Sequence, residues 1–242
     1  MRSNKNYFHL LSTTALVLCF TATMGAHAGL KSSLKKASKS AEQAIKETTE
    51  KAKPNKHNTV DINDALDQQA DIGRTLTNSL MYLSEAQFLM AEAVGLKEEA
   101  QIAQQNAEDL AAGDVTGVDD LDQRLSTSSE LTAAIAVKMD SGMQLDEEGK
   151  EKFRAAIPPY TMGTTTMILS AKIAAASARA LMSSGDPQIV MRLAELKYLI
   201  TFGQAAPDLV RTFRAANQTI IAFANANDID TSELEAATED WD

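Results

Sequence analysis

Apolar residues recur at every third or fourth position over most of this chain, the spacing that gathers side chains onto one face of an α-helix. After Asp61 the residues Ile62, Leu66, Ile72, Leu76, Leu80, Leu83, Phe88 and Val94 keep that period, which predicts a long helix capped by Asp61 and broken at Gly95. Leu96 to Ala112 continues as a more polar, Glu/Gln-rich helix that Gly113-Asp114 ends. Beyond the Gly113–Gly117 loop a third helix is expected, with Asp119 or Asp120 as its cap. Leu121, Leu125, Leu131, Ile135 and Met139 form its buried row.

Ser141-Gly142 marks the next weak point, and Asp146 starts a helix carrying Phe153 and Ile157. Pro158-Pro159 is expected to stop or kink it, because proline lacks the N–H a helix interior needs and restricts the residue before it. Met162 to Met182 is the most apolar piece, but Lys172 and Arg179, seven apart and on the same face as Thr165, give it a polar edge. Two central cations are costly in lipid, so this piece reads as a central helix whose alanines and serines let neighbours come close, not as a membrane span. Gly185-Asp186-Pro187 reads as a turn opening a helix with Ile189, Val190, Leu193, Leu196, Leu199 and Ile200 on its inner face, ending near Gly203. Pro207 then opens a last helix bearing Leu209, Val210, Phe213, Ile220, Ile221 and Phe223, and an acidic stretch follows Asn227.

No segment alternates with strand periodicity for more than a few residues. The fold class expected is all-α, an antiparallel multi-helix bundle preceded by a cleaved signal peptide and a basic N-terminal helix. Short connections make sequence-adjacent helices pack antiparallel. The division expected is a secretory signal over 1–28, a Lys-rich amphipathic segment and linker over 29–58, the bundle over 59–227, and an acidic C-terminal tail over 228–242.

The signal assignment rests on Arg2 and Lys5, the apolar run Leu10 to Ala22, and the small residues of Ala26-His27-Ala28, with cleavage expected before Gly29. Lipid attachment at Cys19 fits poorly, because Leu18 before it is large and the cysteine lies inside the apolar run. Cleavage leaves 214 residues without cysteine, which for an exported protein points to the envelope or exterior of a Gram-negative-type bacterium, periplasmic or extracellular.

Charge divides the chain. Residues 29–57 hold eight lysines against three acids, whereas 58–242 hold 13 basic and 30 acidic residues. An acidic body repels phosphate backbones, so nucleic acid is not an expected partner. In the basic segment, Leu30, Leu34, Ala37, Ala41 and Ile45 recur at helical spacing. Lys31, Lys35, Lys36 and Lys39 are the candidate contacts with an anionic membrane surface or a partner. The competing reading is a solvated arm that Pro54-Asn55 stops.

Few chemistries have their parts. The expected mature chain has one histidine, His57, so neither a Ser-His-Asp triad nor a multi-histidine zinc site can assemble. Phosphate-binding glycine loops are absent. Asp228, Asp230, Ser232 and Glu239 fall at calcium-loop spacing, but Glu233 occupies the position that requires glycine. The acids of Asp119-Asp120-Leu121-Asp122 suit a helix N-terminus, where the dipole favours negative charge. Ile157-Pro158-Pro159-Tyr160 resembles a proline-rich docking peptide without its spacing. Met81, Met90, Met139, Met143, Met162, Met167, Met182 and Met191 suit core packing first and an adaptable groove second.

No catalytic residue, cofactor or metal ligand is therefore assigned. The expectation is an exported non-catalytic helical bundle serving as a structural, adaptor or accessory component of the bacterial envelope through protein contacts, its partner unidentified. The alternative is a membrane-active or apolar-ligand/lipid-binding helical protein. A third reading, a hydrolase using two carboxylates across a cleft, has acids in abundance but no pair that the sequence singles out.

Overall fold

The computed structural model describes residues 62–113, 118–184, 191–192 and 194–239. Among them the chain is all-helical and the helices pack on one another, with no strand. The helices are α1 (Ile62–Ala93), α2 (Lys97–Ala112), α3 (Val118–Met139), α4 (Glu147–Ser183), α5 (Lys197–Ala226) and α6 (Ser232–Thr238). The signal segment, the basic segment with Lys31, Lys35, Lys36 and Lys39, the expected cap Asp61, and the Gly185-Asp186-Pro187 turn all lie outside the described residues.

Helix α1 follows its hydrophobic period: Ile72, Leu76, Leu80, Leu83 and Met90 are buried. It ends where Gly95 takes a left-handed φ of 78°, which lets the Leu96 N–H turn back to the Ala91 carbonyl at 2.8 Å. Gly113 closes α2 in the same way. In α3 the expected row is buried at Leu121, Leu131, Ile135 and Met139 and partly buried at Leu125. The helix already includes Val118, so Asp119 and Asp120 sit in its first turn instead of capping it. Asp146 does cap α4, its carboxylate accepting from the Gly149 N–H at 2.8 Å.

Two expected boundaries do not exist. Pro158 and Pro159 lie inside α4, which runs unbroken to Ser183 and so includes the Met162–Met182 piece. The carbonyls left without N–H partners belong to Arg154 and Ala155, both exposed, where water can satisfy them. Phe153, Ala156, Ile157 and Tyr160, around the prolines, are all buried. Burying Phe153, Ile157 and Tyr160 stabilises the helix by about 1.5–3 kcal/mol apiece, against a cost of about 3 kcal/mol per interior proline.

Likewise α5 passes through both Gly203 and Pro207, the expected end of one helix and start of the next. Gly203 is where α5 meets α4: a Cβ there would stand 2.5 Å from the Ala174 carbonyl oxygen. Gly163 allows a similar approach of α4 to α1 at Leu83 and Ser79. Helix α4 thus packs against both α1 and α5 at the centre of the core. Phe153 of α4 and Phe223 of α5 meet with ring centroids 5.3 Å apart.

Residues after Asn227 were expected to form an acidic tail, and they are acidic, but 229–238 pack against the bundle. Ile229 and Leu234 are buried, and α6 touches α4 and α5. Two apolar side chains at the right offset are enough to hold a short acidic helix whose charges face water. Buried Asn227 fixes the approach: its side-chain oxygen accepts from the Leu145 N–H at 2.8 Å and its amide donates to the Phe223 carbonyl at 2.9 Å.

Candidate functional site

A recess of about 320 Å³ opens beside α5 and α6, lined by Arg214, Asn217, Gln218 and Ile221 of α5 and Thr238 of α6. The four α5 residues stand three, four and seven positions from the first, so one helix face presents them all. Arg214 and Gln218 are exposed and Ile221 is half-buried. Asn217 is only 2% exposed, and neither its amide nitrogen nor its carbonyl oxygen has a hydrogen-bond partner among the described residues. Thr238 donates its hydroxyl hydrogen to the Glu235 carbonyl at 2.7 Å, leaving lone pairs on its oxygen. The lining offers a cation, amides, a hydroxyl and an apolar wall. These groups can hold a ligand by charge, hydrogen bonding and apolar contact.

Among the described residues no carboxylate belongs to that lining, so no described pair of acids of the kind glycoside hydrolysis needs meets in the recess. Among the described residues no group of three His, Cys, Asp or Glu side chains converges as metal ligands would. Asp230, one member of the calcium-like spacing, uses its carboxylate to accept from the Ser232 N–H at 3.0 Å. No described helix is long and apolar enough to cross a membrane.

Charged groups cluster at a second place, where α3 and α5 begin. Local desolvation raises the Asp122 carboxyl above its ordinary range, Asp119 raises it further, and Lys197 opposes both. Tyr198 beside them is raised by burial and by the Asp122 charge, and its hydroxyl has no partner among the described residues. Tyr198 stacks on Phe202 at a centroid distance of 6.0 Å. Asp120 of the same acidic run pairs with Arg124 at 3.2 Å, and Arg124 also reaches Asp109 of α2 at 3.5 Å. These acids act as helix-end charges and as links between helices.

Polar groups also run through the interior. Gln87 of α1 donates to the Ser128 carbonyl at 2.7 Å and to the hydroxyl oxygens of Ser128 and Thr132, both at 2.8 Å, tying α1 to α3. Gln69 accepts from the Leu199 N–H at 3.1 Å and donates to the Glu195 carbonyl at 2.9 Å, so α1 supplies the cap that α5 lacks locally.

Outside the recess, four large apolar side chains among the described residues face solvent: Ile102 on α2, Val137 on α3, Met182 near the end of α4, and Met191. Of the methionines, Met90, Met139 and Met167 are core residues, while Met182 is 54% and Met191 78% exposed. Of the recess residues, the sequence pointed only to Ile221, as an apolar position of the last helix, and to none as a site residue. The available signal was the polar pair Asn217-Gln218 between Phe213 and Ile220, amides set into an otherwise apolar helix face. Compared with known protein families, curated proteins and solved structures, the chain matches none of them.

Proposed function

We propose that this chain is an exported, non-catalytic helical bundle acting as a structural, adaptor or accessory component of the bacterial envelope through protein contacts. The observation that carries this reading is the exposure of Met182 and Met191, with Val137 at 73%, on a protein whose other large apolar side chains are mostly gathered inside. Methionine presents a flexible, polarizable apolar surface that conforms to a partner. The antiparallel arrangement proposed for the bundle draws support from two ties between α1 and α4: Gln68 near the start of α1 bonds Ser177 near the end of α4, and Glu92 near the end of α1 pairs with Lys152 near the start of α4.

The lipid-carrying alternative draws less support. The described recess is lined mainly by polar side chains, and the glycine contacts at positions 163 and 203 close helices onto one another where a lipid would need them parted.

The test is recovery of partners from an envelope fraction with the native protein and with the M182D/M191D double variant. A reproducible partner lost in the double variant is the expected result; equal recovery by both, or no reproducible partner at all, refutes the reading. Lys31, Lys35, Lys36 and Lys39 are proposed as a separate contact. Each lysine near an anionic surface contributes about 1 kcal/mol, so changing all four to Gln is expected to abolish co-sedimentation with anionic vesicles if that surface is a membrane. Mass spectrometry of the exported protein is expected to find Gly29 at the N-terminus.

A further inference from the structure

We infer that Met182 is a site of oxidation by peroxides, and that Gln204 of α5 selects which of its two sulfoxide epimers forms. Met182 stands near the end of α4 and is 54% exposed, so its side chain is open to a small oxidant in solvent. Met90, Met139 and Met167, at 3% exposure or less, are sealed in the core. One contact sets Met182 apart from an ordinary surface methionine: the Gln204 side-chain amide donates to its sulfur at 3.8 Å. Packing brings the two together. Gly203 has no side chain, which lets α5 lie against α4 where a Cβ would stand 2.9 Å from the Ala178 Cβ. Gln204 is the next residue along α5 and Met182 lies one turn beyond Ala178 on α4, so their side chains meet beside that close approach.

In the reaction a thioether lone pair attacks one oxygen of hydrogen peroxide. The sulfur–oxygen bond forms as the O–O bond breaks, and the proton of the transferred hydroxyl passes to the departing hydroxide, giving water. Sulfur loses two electrons and the peroxide gains them. Oxygen added to one or the other of the two sulfur lone pairs gives opposite epimers. In Met182 one side of the sulfur faces the Gln204 amide. A thioether is a weak acceptor, so the amide gives up that bond at little cost. Its N–H then stabilises the charge that builds on the peroxide and bonds the sulfoxide oxygen at an ordinary distance of about 2.9 Å. The epimer facing Gln204 forms faster. Met191, 78% exposed, has no such donor on its sulfur among the described residues and serves as the internal comparison. Oxidation turns a flexible apolar side chain into a polar one. For a contact surface built on Met182 that is an off switch; this consequence rests on the proposed function, whereas the modification itself does not.

The experiment treats the full chain with limiting hydrogen peroxide and digests it with a cut before Asp186, which puts Met182 and Met191 on separate peptides for mass spectrometry. Each of the two classes of methionine sulfoxide reductase repairs one epimer, so treating the digest with either enzyme alone reads the epimer ratio. Met182 is expected to oxidise several-fold faster than Met90, Met139 and Met167. Its sulfoxide should be repaired mostly by one reductase, while that of Met191 divides about equally between the two. Q204A and Q204E, at an exposed position, each remove the donor and should bring Met182 to the same even division. Far-UV circular dichroism checks that the fold is kept. Oxidation of Met182 no faster than that of the core methionines overturns the inference. So does an even division in the native protein, or a bias that survives in either variant. None of these readouts depends on a partner, so their failure leaves the proposed function to its own test.

Discussion

At the scale of single residues, three glycines inside helices separate intrinsic helix preference from packing. Alanine is favoured over glycine in a helix by about 1 kcal/mol, so substitution should stabilise wherever there is room. A Cβ on Gly73 would meet nothing within 4 Å, and G73A is expected to stabilise by about 0.5–1 kcal/mol. A Cβ on Gly203 would stand 2.5 Å from the Ala174 oxygen and 2.8 Å from its carbonyl carbon. G203A is therefore expected to destabilise by about 1–3 kcal/mol despite the better propensity. G163A should fall between the two, because its closest clash, at 2.8 Å, is with the Leu83 side chain. Urea unfolding of the three variants checks the order, and a stabilising G203A would contradict the close approach of α4 and α5.

Asn227 tests a different mechanism. N227A would leave the buried Leu145 N–H without its acceptor, an expected loss of about 1–3 kcal/mol in the same measurement. Asp122 sets a pH dependence. Its folded-state pKa is raised, so the folded chain holds this proton more tightly than the unfolded chain does. The contribution to stability therefore declines as pH rises from the ordinary value of 3.8 through the raised one. D122N should be more stable than the native protein at neutral pH, and the advantage should vanish in acid below that range. Thermal unfolding across pH measures it. Glu195, lowered chiefly by its hydrogen bond from Arg192, works the other way: its contribution is present above the ordinary 4.5 and fades as pH falls through the lowered value.

At the scale of elements, α6 shows how little apolar surface decides whether a segment is tail or structure. Its seven residues carry Glu233 and Glu235, yet Leu234 is fully buried and Ile229 just before it nearly so. Ending the chain after Asn227 removes both, and each such side chain contributes about 1.5–3 kcal/mol when buried. The truncated protein is expected to melt several degrees lower in calorimetry while keeping its helical circular dichroism. Helices α4 and α5 make the complementary point. Proline penalties act locally, but whether they end a helix depends on what lies buried on either side, as Phe153 and Tyr160 do around Pro158-Pro159.

At the scale of the molecule, ties between residues distant in sequence hold the helices in place. Gln69 serves α5 from α1, 130 residues away, bonding the Leu199 N–H. Q69A is expected to cost about 0.5–1.5 kcal/mol and to speed hydrogen exchange at Leu199 and its neighbours, with little change at the far end of α5. Lys152 joins the start of α4 to Glu92 at the end of α1, at 3.2 Å, in an exposed pairing that steers geometry more than it stabilises. With its hydrogen bonds mostly inside helices and its apolar faces turned together, the bundle coheres by packing.

What the amino-acid order determined by itself was the helical character of α1 to α3, the row from Leu121 to Met139, the Gly95 and Gly113 endings, and the cap at Asp146. Each depends on residues within a turn or two of one another, because helix hydrogen bonds and faces repeat every few positions. Tertiary structure alone decided that Pro158, Pro159, Gly203 and Pro207 lie inside helices, that α5 takes its cap from Gln69, and that Arg214, Asn217 and Gln218 share a recess with Thr238. Those outcomes depend on which surfaces meet across long stretches of chain, and burial gained there outweighs the local preferences that a linear reading can follow.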